Sequence, residues 1–347
     1  MTKLRFAVIG TGHISSTHID AIRNCENAEL AAIMSHDNTR AEMFAGKYNV
    51  KAYSDIDELL ADNEIDIVDI VSYHDLHVEY ALKAVKNKKH VIIEKPIGIH
   101  IEHIDELIEE AKKNNVKVTV ISQHRLDEAF IRAKSRIEAG ELGKILFVNV
   151  DLIQNRSENY YMASPWRTQL EKAGGGVLMM NAVHLIDVLL WMLGDVKSVY
   201  GKIENIKHKI DVEDTASALI KFKNNAVVSL HASNSASYNH PFRVMIYGEK
   251  KSLMIEYGKV IEINNQKNTN MLTRLKNAAV RRLPVRMSKS RMYKTGSIAE
   301  QINIFADSIV NNKENSLATA LDGKKALEVI LAVYKSSKSG REININR

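Results

Sequence analysis

With 347 residues, 45% of them hydrophobic, the chain can build one large or two ordinary cores. Its formal net charge of +6 comes from one place: nine Lys and Arg fall within residues 267–294, residues 263–299 carry no acid, and the remainder is mildly acidic. That stretch has almost no aromatic residues to stack on bases, which excludes nucleic acid as the expected partner and leaves a solvated loop, or a grip on phosphates, an acidic membrane surface or another subunit.

Residues 1–6 are polar, and the apolar run behind them ends at Gly10, too short for a secretory leader. No later run approaches the roughly eighteen residues of a membrane span, so a cytoplasmic protein without one is expected. Strands are predicted at 4–9, 29–34, 67–72, 90–93 and 117–121, each a short apolar run, with amphipathic helical patterns between them. This alternation predicts an α/β domain over residues 1–122, a doubly wound parallel sheet with helices on both faces. Cys25, the only cysteine, has no partner for a disulfide or a thiolate metal site and reads as a small buried apolar residue near the end of the first helix. After residue 123 the texture changes. A helix at 127–139 is followed by alternating runs at 146–153, 198–204, 216–222, 226–232, 243–247, 252–256 and 260–263, which predict a large, mostly antiparallel sheet. A helix at 179–193 interrupts these strands and two more, near 298–310 and 321–335, close the chain. Residues 123–347 are therefore expected to form a second, α+β domain.

The first strand runs into Gly10-Thr11-Gly12-His13-Ile14. Gly10 permits a tight bend, and Gly12 lets backbone approach a pyrophosphate at the positive end of the following helix, although Ser15 replaces the usual third glycine. Position after the first strand favours a dinucleotide cradle over an ordinary strand-to-helix turn. At the end of the second strand the chain reads Met34-Ser35-His36-Asp37-Asn38-Thr39-Arg40. Ser35 removes the charge that repels a 2'-phosphate, and His36 and Arg40 suit one, which tilts toward NADP. Asp37 either serves the ribose of NAD or begins the next helix as its N-cap. Glu94-Lys95-Pro96 follows the fourth strand, so Lys95 emerges at the carboxyl edge of the sheet, where ligands of open α/β folds bind. A lysine there can assist removal of a hydroxyl proton as hydride leaves for a nicotinamide. Pro96 sets the chain direction, with a cis peptide as one route.

The third group is Trp166-Arg167 followed by Gly174-Gly175-Gly176 and a helical segment carrying Asn181, His184 and Asp187 at three-residue spacing. His184 sits at the edge of the apolar stripe, either satisfied by Asp187 or, led by a flexible triple glycine, facing a substrate. Arg125, Arg156 and Arg167 have the fork that suits carboxylate or phosphate, and Tyr160 and Tyr161 suit a sugar or uracil face. Each has a structural alternative, and Trp166-Arg167 touches either cofactor or sugar. His100 and His103, like His74 and His77, lack further metal ligands and read as surface histidines, so no metal is expected.

Nearly the whole length resembles the glucose-fructose oxidoreductase, inositol dehydrogenase and rhizopine-catabolism family, Gfo/Idh/MocA. The matching pieces are Gly10-x-Gly12 with His18, Asp75-Leu76-His77, Lys89-His90-Val91 running into Glu94-Lys95-Pro96, Trp166-Arg167, the triple glycine with His184 and Asp187, Val212-Glu213-Asp214-Thr215, and Tyr247-Gly248. The resemblance implies a Rossmann domain, an open-faced sheet that builds homodimers or homotetramers, and hydride transfer between NAD or NADP and a sugar or cyclitol. By it Lys95 and His184 are the catalytic pair. Gly10, Gly12, His13, Ile14, Ser35, His36, Arg40, Ser72, His77, Glu94, Lys95, Trp166 and Arg167 are the candidate cofactor contacts, and Arg125, Arg156, Tyr160, Asn181 and Asp187 the candidate substrate contacts. One departure stands out: Met180 occupies the place, four before the histidine, where the family has Asp or Asn, and Asn181 is the replacement candidate. Residues 155–161, with Gln123-His124-Arg125, are similar to relatives that oxidise C3 of UDP-N-acetylhexosamines or their uronic acids. A cyclitol or free-sugar dehydrogenase and a non-catalytic dinucleotide or sugar sensor are the alternatives.

Overall fold

The computed structural model describes residues 3–256, 258–263 and 295–345; the basic stretch 267–294 lies outside the described residues. Six parallel strands make the first sheet: β1 (Leu4–Ile9), β2 (Ala28–Met34), β3 (Lys51–Tyr53), β4 (Ile67–Ile70), β5 (His90–Ile93) and β6 (Val118–Val120). Their order, β3-β2-β1-β4-β5-β6, reverses direction beside β1, which opens a crevice at the carboxyl ends of β1 and β4. Helices α1 (Ser15–Arg23), α2 (Asn38–Tyr48), α3 (Ile56–Ala61), α4 (His77–Lys86) and α5 (Ile104–Lys113) connect the strands. Strand β3, only three residues long, carries too little periodicity to be anticipated.

Alternation along β1 explains why this sheet needs helices on both sides. Phe6 and Val8 enter one apolar cluster with Ile19 and Ile22 of α1, while Ala7 and Ile9 enter the other with Leu59 and Tyr80. The first cluster is completed from far along the chain, by Ile298, Ile302 and Phe305 of α10 (Thr295–Val310). Gln301 on that helix ties down the edge strand, accepting from the Ser122 amide at 3.0 Å and donating to the Val120 carbonyl at 2.8 Å. The first sheet is thus covered in part by sequence from the far end of the chain.

The second sheet has eight strands: β7 (Ile145–Ile153), β8 (Val196–Glu204), β9 (Thr215–Phe222), β10 (Val227–Ser233), β11 (Arg243–Gly248), β12 (Ser252–Glu256), β13 (Lys259–Ile263) and β14 (Ile343–Asn344). Their order is β13-β12-β11-β7-β10-β9-β8-β14; only β7 and β10 run parallel, the other pairs being antiparallel. Helix α6 (Glu128–Glu138) precedes β7, the short α7 (Glu158–Met162) and α8 (Leu170–Ala173) and then α9 (Val183–Leu193) lie between β7 and β8 in sequence, and α11 (Ala320–Ser339) follows α10. On the inner face Val148, Val150 and Leu152 are buried; helix α11 comes close to β8 because Gly201 has no side chain, where a Cβ would meet Val333 at 2.8 Å. Among the described residues nothing covers the outer face, where Phe147, Tyr200 and Leu219 are exposed and Phe147 is stacked on Tyr247.

The helix expected over 179–193 is not uniform. A π-helical turn at Leu178–Ala182 precedes α9, a device that changes which backbone groups stay unpaired and is frequent at functional sites. One described segment, Leu170–Leu193, is long and apolar enough to cross a membrane, but 83% of its eighteen-residue apolar window is buried within the fold, where it serves as core.

Candidate functional site

Gly10 has φ +121°, and a Cβ there would meet the Val71 carbonyl oxygen at 2.7 Å, so only glycine lets β1 turn this closely past β4. Nothing lies within 4 Å of the side chain Gly12 lacks. Ile14 at the start of α1 offers no capping oxygen and the first turn carries no acid; the Ser15 and Thr17 amides turn back to the Gly12 and Ile14 carbonyls at 3.3 and 3.0 Å, and the remaining first-turn amide and the positive end of the helix dipole suit an anion. The buried hydroxyl of Ser15 beside them has no partner among the described residues. This donor set fits a dinucleotide pyrophosphate.

At the end of β2, Thr11 donates to the Ser35 hydroxyl at 3.2 Å, and the Arg40 guanidinium reaches the Thr11 carbonyl at 2.5 Å. Asp37 is the N-cap of α2, accepting from the Arg40 amide at 3.2 Å. His36 is hydrogen-bonded to Tyr80. The strand end therefore presents hydroxyls and a guanidinium, with its one carboxylate engaged by the helix.

Beneath the turn lies a closed charge cluster. His18, fully buried, meets Asp69 at 2.8 Å and Glu94 at 3.2 Å. Burial alone would lower its pKa, but Asp69 and then Glu94 push it up to about 10, so the ring is an imidazolium donating from both nitrogens. Burial would raise the Glu94 carboxyl, yet His18 and Lys95 hold it below its usual range. The other oxygen of Glu94 accepts from the Lys95 amide at 2.9 Å. His77, also buried, bonds the Pro96 carbonyl at 2.7 Å and lies 3.2 Å from the Ser72 carbonyl; the Lys95–Pro96 peptide is cis. The structure thus places Glu94 and His77, expected to meet the cofactor, within the protein, where they brace the backbone that carries Lys95.

From that brace the Lys95 ammonium crosses to the second domain and donates to the main-chain carbonyl of Met180 at 3.0 Å. The position that lacks the family's Asp or Asn side chain meets the lysine with backbone instead. Asn181 is turned to Asn234, whose amide donates to it at 3.2 Å; the carbonyl oxygen of Asn234, itself 1% exposed, has no partner among the described residues.

His184 is half-buried and lies edge-on to His124, ring centroids 5.4 Å apart. Burial, with Lys95 and His124 adding to it, holds its pKa well below the ordinary value, so it is a neutral base at neutral pH. Asp187 does not orient it. That carboxylate is held by Arg125 through two bonds, of 2.8 and 2.6 Å, and by the Ser122 hydroxyl at 2.7 Å, and Arg125 also meets Asp322 at 3.3 Å. Arg125 and Asp187 are each at most 7% exposed, so these two expected substrate contacts form a buried brace between α9 and α11.

The triple glycine is tight rather than flexible. A Cβ on Gly174 would meet Ile99 at 2.3 Å, one on Gly175 the Tyr334 hydroxyl at 1.9 Å, and one on Gly176 the Glu213 carbonyl at 1.8 Å. The Glu213 carboxylate accepts from the amides of Gly176 and Leu178 at 2.7 and 2.9 Å and from the Tyr334 hydroxyl at 3.0 Å. This fixes the start of the segment bearing Met180 and His184. Glu213 lay within a recognised motif without an assigned role; Tyr334 had no signal at all.

Toward the mouth, Arg156 and Arg167 both lie over the Tyr160 ring, 4.8 and 4.5 Å from its centroid. Arg156 donates to Gln154 at 3.0 Å and Arg167 to the Tyr160 carbonyl at 3.3 Å. Neither forms an ion pair among the described residues, and the Arg156 Nε is buried without a partner. Trp166 packs against His74 and Tyr73, ring centroids 4.8 and 5.4 Å away, joining this loop to the first domain. His100 and His103 are exposed as expected, but His74 and His77 are buried, the former bonded to the Ala173 carbonyl at 2.9 Å. No cluster of metal ligands occurs among the described residues.

Residues 4–122 match the oxidoreductase family with an NAD-binding Rossmann fold, GFO_IDH_MocA, and residues 130–254 match the GFO/IDH/MocA C-terminal domain. The chain is 28% identical to the myo-inositol 2-dehydrogenase of Thermotoga maritima over 99% of its own length and 98% of that protein's. It is 32% identical to an uncharacterized oxidoreductase of Synechocystis sp. over 74% of this chain and 73% of the other. In fold it is similar to the WlbA dehydrogenase from Bordetella pertussis in complex with NADH and UDP-GlcNAcA, at a TM-score of 0.86 and 24% identity, covering 100% of this chain and 99% of that one. Matched in both halves, the chain belongs to the Gfo/Idh/MocA family of oxidoreductases, enzymes built on an NAD-binding Rossmann domain.

Proposed function

We propose that this protein is a dehydrogenase for a secondary alcohol of a sugar that carries an acidic group, with Lys95 and His184 as its catalytic pair. The observation that carries the reading is the bond from Lys95 to the Met180 carbonyl, which joins the lysine at the end of the first sheet to the segment that bears His184. Gly10, Gly12 and the start of α1 hold the dinucleotide, whose nicotinamide, when bound, accepts or returns hydride. His184, neutral because of its burial, accepts the hydroxyl proton. Lys95 donates a hydrogen bond to the same oxygen and stabilises the charge that develops there. Arg156 and Arg167, which meet no carboxylate among the described residues and flank Tyr160, receive the acidic group of the sugar. Support for a nucleotide-sugar uronate comes from the WlbA structure, which holds UDP-GlcNAcA, and support for a cyclitol from the inositol dehydrogenase relative. The arginines favour the former.

The test is reduction of NAD and of NADP by the purified protein against UDP-hexosamines, their uronic acids, neutral sugars and inositols. Turnover highest with the acidic sugars supports the reading. Preference for inositols would shift it to a cyclitol, and binding without reduction would make the protein a sensor. The outer face of the second sheet, uncovered among the described residues and with Phe147, Tyr200 and Leu219 exposed, supports a homodimer or homotetramer joined there. A monomer by light scattering at micromolar concentration would defeat that part.

A further inference from the structure

We infer that His124 and Asp127 carry to solvent the proton that His184 takes from the substrate. Oxidising an alcohol releases one proton per turnover, and with dinucleotide and sugar both seated, the cleft side of His184 is covered by ligand. The imidazole makes no hydrogen bond to any described residue, and its ring neighbour is His124, edge-on at 81° with centroids 5.4 Å apart. The His124 Nδ1–H donates to the Asp127 carboxylate at 2.7 Å, which fixes the tautomer and leaves Nε2 with a free lone pair. Phe130 and Phe242 wall the same ring, centroids 5.7 and 5.4 Å away, so Asp127 is its polar outlet. Exposure rises along the path, from 20% for the His124 side chain to 37% for Asp127.

One feature separates this pair from an incidental surface contact. Asp127 occupies the N-cap position of α6, where its carboxylate would ordinarily accept from the first turn, yet it makes no capping bond and turns to His124 instead. A side-chain cap ordinarily stabilises a helix, and here that bond is forgone in favour of an imidazole beside the proposed proton acceptor.

The substrate C–H electron pair leaves as hydride for the nicotinamide, the O–H bond breaks, and its proton forms an N–H bond on His184. That proton passes to the Nε2 of His124, directly or over one water, and the resulting imidazolium, paired with Asp127, loses a proton to bulk water or buffer. His124 and Asp127 act through His184 and touch neither substrate nor cofactor. The inference rests on His184 as acceptor under the proposed function but not on which sugar is used, since any secondary alcohol releases this proton.

The test is steady-state turnover of His124→Phe and Asp127→Asn with whichever alcohol the wild type oxidises, across a series of imidazole concentrations. In dilute buffer, His124→Phe should lower kcat about tenfold or more with KM little changed, and added imidazole should restore most of it. Asp127→Asn should show a smaller loss with the same rescue. A kcat unchanged in dilute buffer, or lowered and deaf to imidazole, overturns the relay. An activity-free reading uses the NMR titration of the His184 ring in the apo protein. Removing the neighbouring imidazole should move it upward, and an unmoved titration defeats the inference even if no sugar is turned over. His184→Ala separates the two readings: full turnover in that variant defeats the catalytic assignment, whereas an inert His184→Ala beside an unrescued His124→Phe defeats the relay alone.

Discussion

Two charged regions flank the lysine, and they are built in opposite ways. Beneath the glycine turn, His18 is locked between Asp69 and Glu94, with all three groups buried and the ring's two nitrogens both engaged. At the mouth, Arg156 and Arg167 share one tyrosine ring and meet no described carboxylate. A buried charge must be paired within the fold, because leaving it unpaired costs several kcal/mol. A charge at a cleft can be left for a ligand to pair. The first region is therefore architecture for Lys95, and the second is a receptor waiting for an anion. Lys95 links the two kinds: its amide belongs to the closed cluster, its ammonium to the site.

The sharpest way to break this division is to remove the ammonium while leaving its support intact. Lys95→Ala should lower kcat by about 10²–10⁴-fold, the range for a positioned proton-transfer group, with dinucleotide affinity by fluorescence titration within a few-fold of wild type. Wild-type turnover would show that the lysine does not take part. His18→Leu should act on stability instead. It leaves two carboxylates buried without their cation, for a loss of about 3–5 kcal/mol in urea unfolding. The pH dependence carries the sign of a raised pKa. The stabilisation from His18 is fully present below the ordinary 6.5 and is lost as pH rises through about 10. A wild-type protein as stable near pH 10 as at pH 6 would mean that the ring is not held as a cation.

At the open region the effect should appear in binding. Arg156→Ala or Arg167→Ala each removes a charged hydrogen-bond donor, a contribution of about 1.5–3 kcal/mol, or roughly 10- to 100-fold in KM for an acidic sugar. A neutral cyclitol should be affected little, and thermal unfolding should hardly move. Equal losses on acidic and neutral substrates would place the arginines with the structural charges.

The contrast also marks what could be read without coordinates. The parallel sheet was legible because its strands are buried on both faces and write continuous apolar runs, and the glycine turn was legible because Gly10 and Gly12 sit just after the first of them. Arg125 and Arg156 looked alike in sequence, each an arginine near the site. Only the fold shows that Arg125 is held by Asp187 and Asp322, from segments 62 residues and more away, while Arg156 is not. The same limit applies to Asp187: it shares the regular turns of α9 with His184, as helical spacing requires, but the longer-range arginine outcompetes the local ring. Met180 looked like a loss because sequence reports side chains, and the group that meets Lys95 is a carbonyl. Tyr334 left no trace because its contact depends on α11 returning across the molecule.

That tyrosine gives the mildest test of the comparison, at a buried carboxylate that belongs to the closed kind although it stands beside the site. Glu213 is stabilised by two amides and the Tyr334 hydroxyl against a burial that by itself raises its pKa. Tyr334→Phe removes one of the three donors and keeps the ring that packs beside Gly175. The expected loss is about 1 kcal/mol of unfolding free energy, the net value of one hydrogen bond. Because the Gly176 and Leu178 amides still hold the carboxylate, the segment leading to Met180 and His184 should keep its place and kcat should change no more than a few-fold. A much larger fall in kcat at unchanged stability would mean that Tyr334 and Glu213 position the reacting groups, and the boundary between architecture and chemistry would then move inward by one residue.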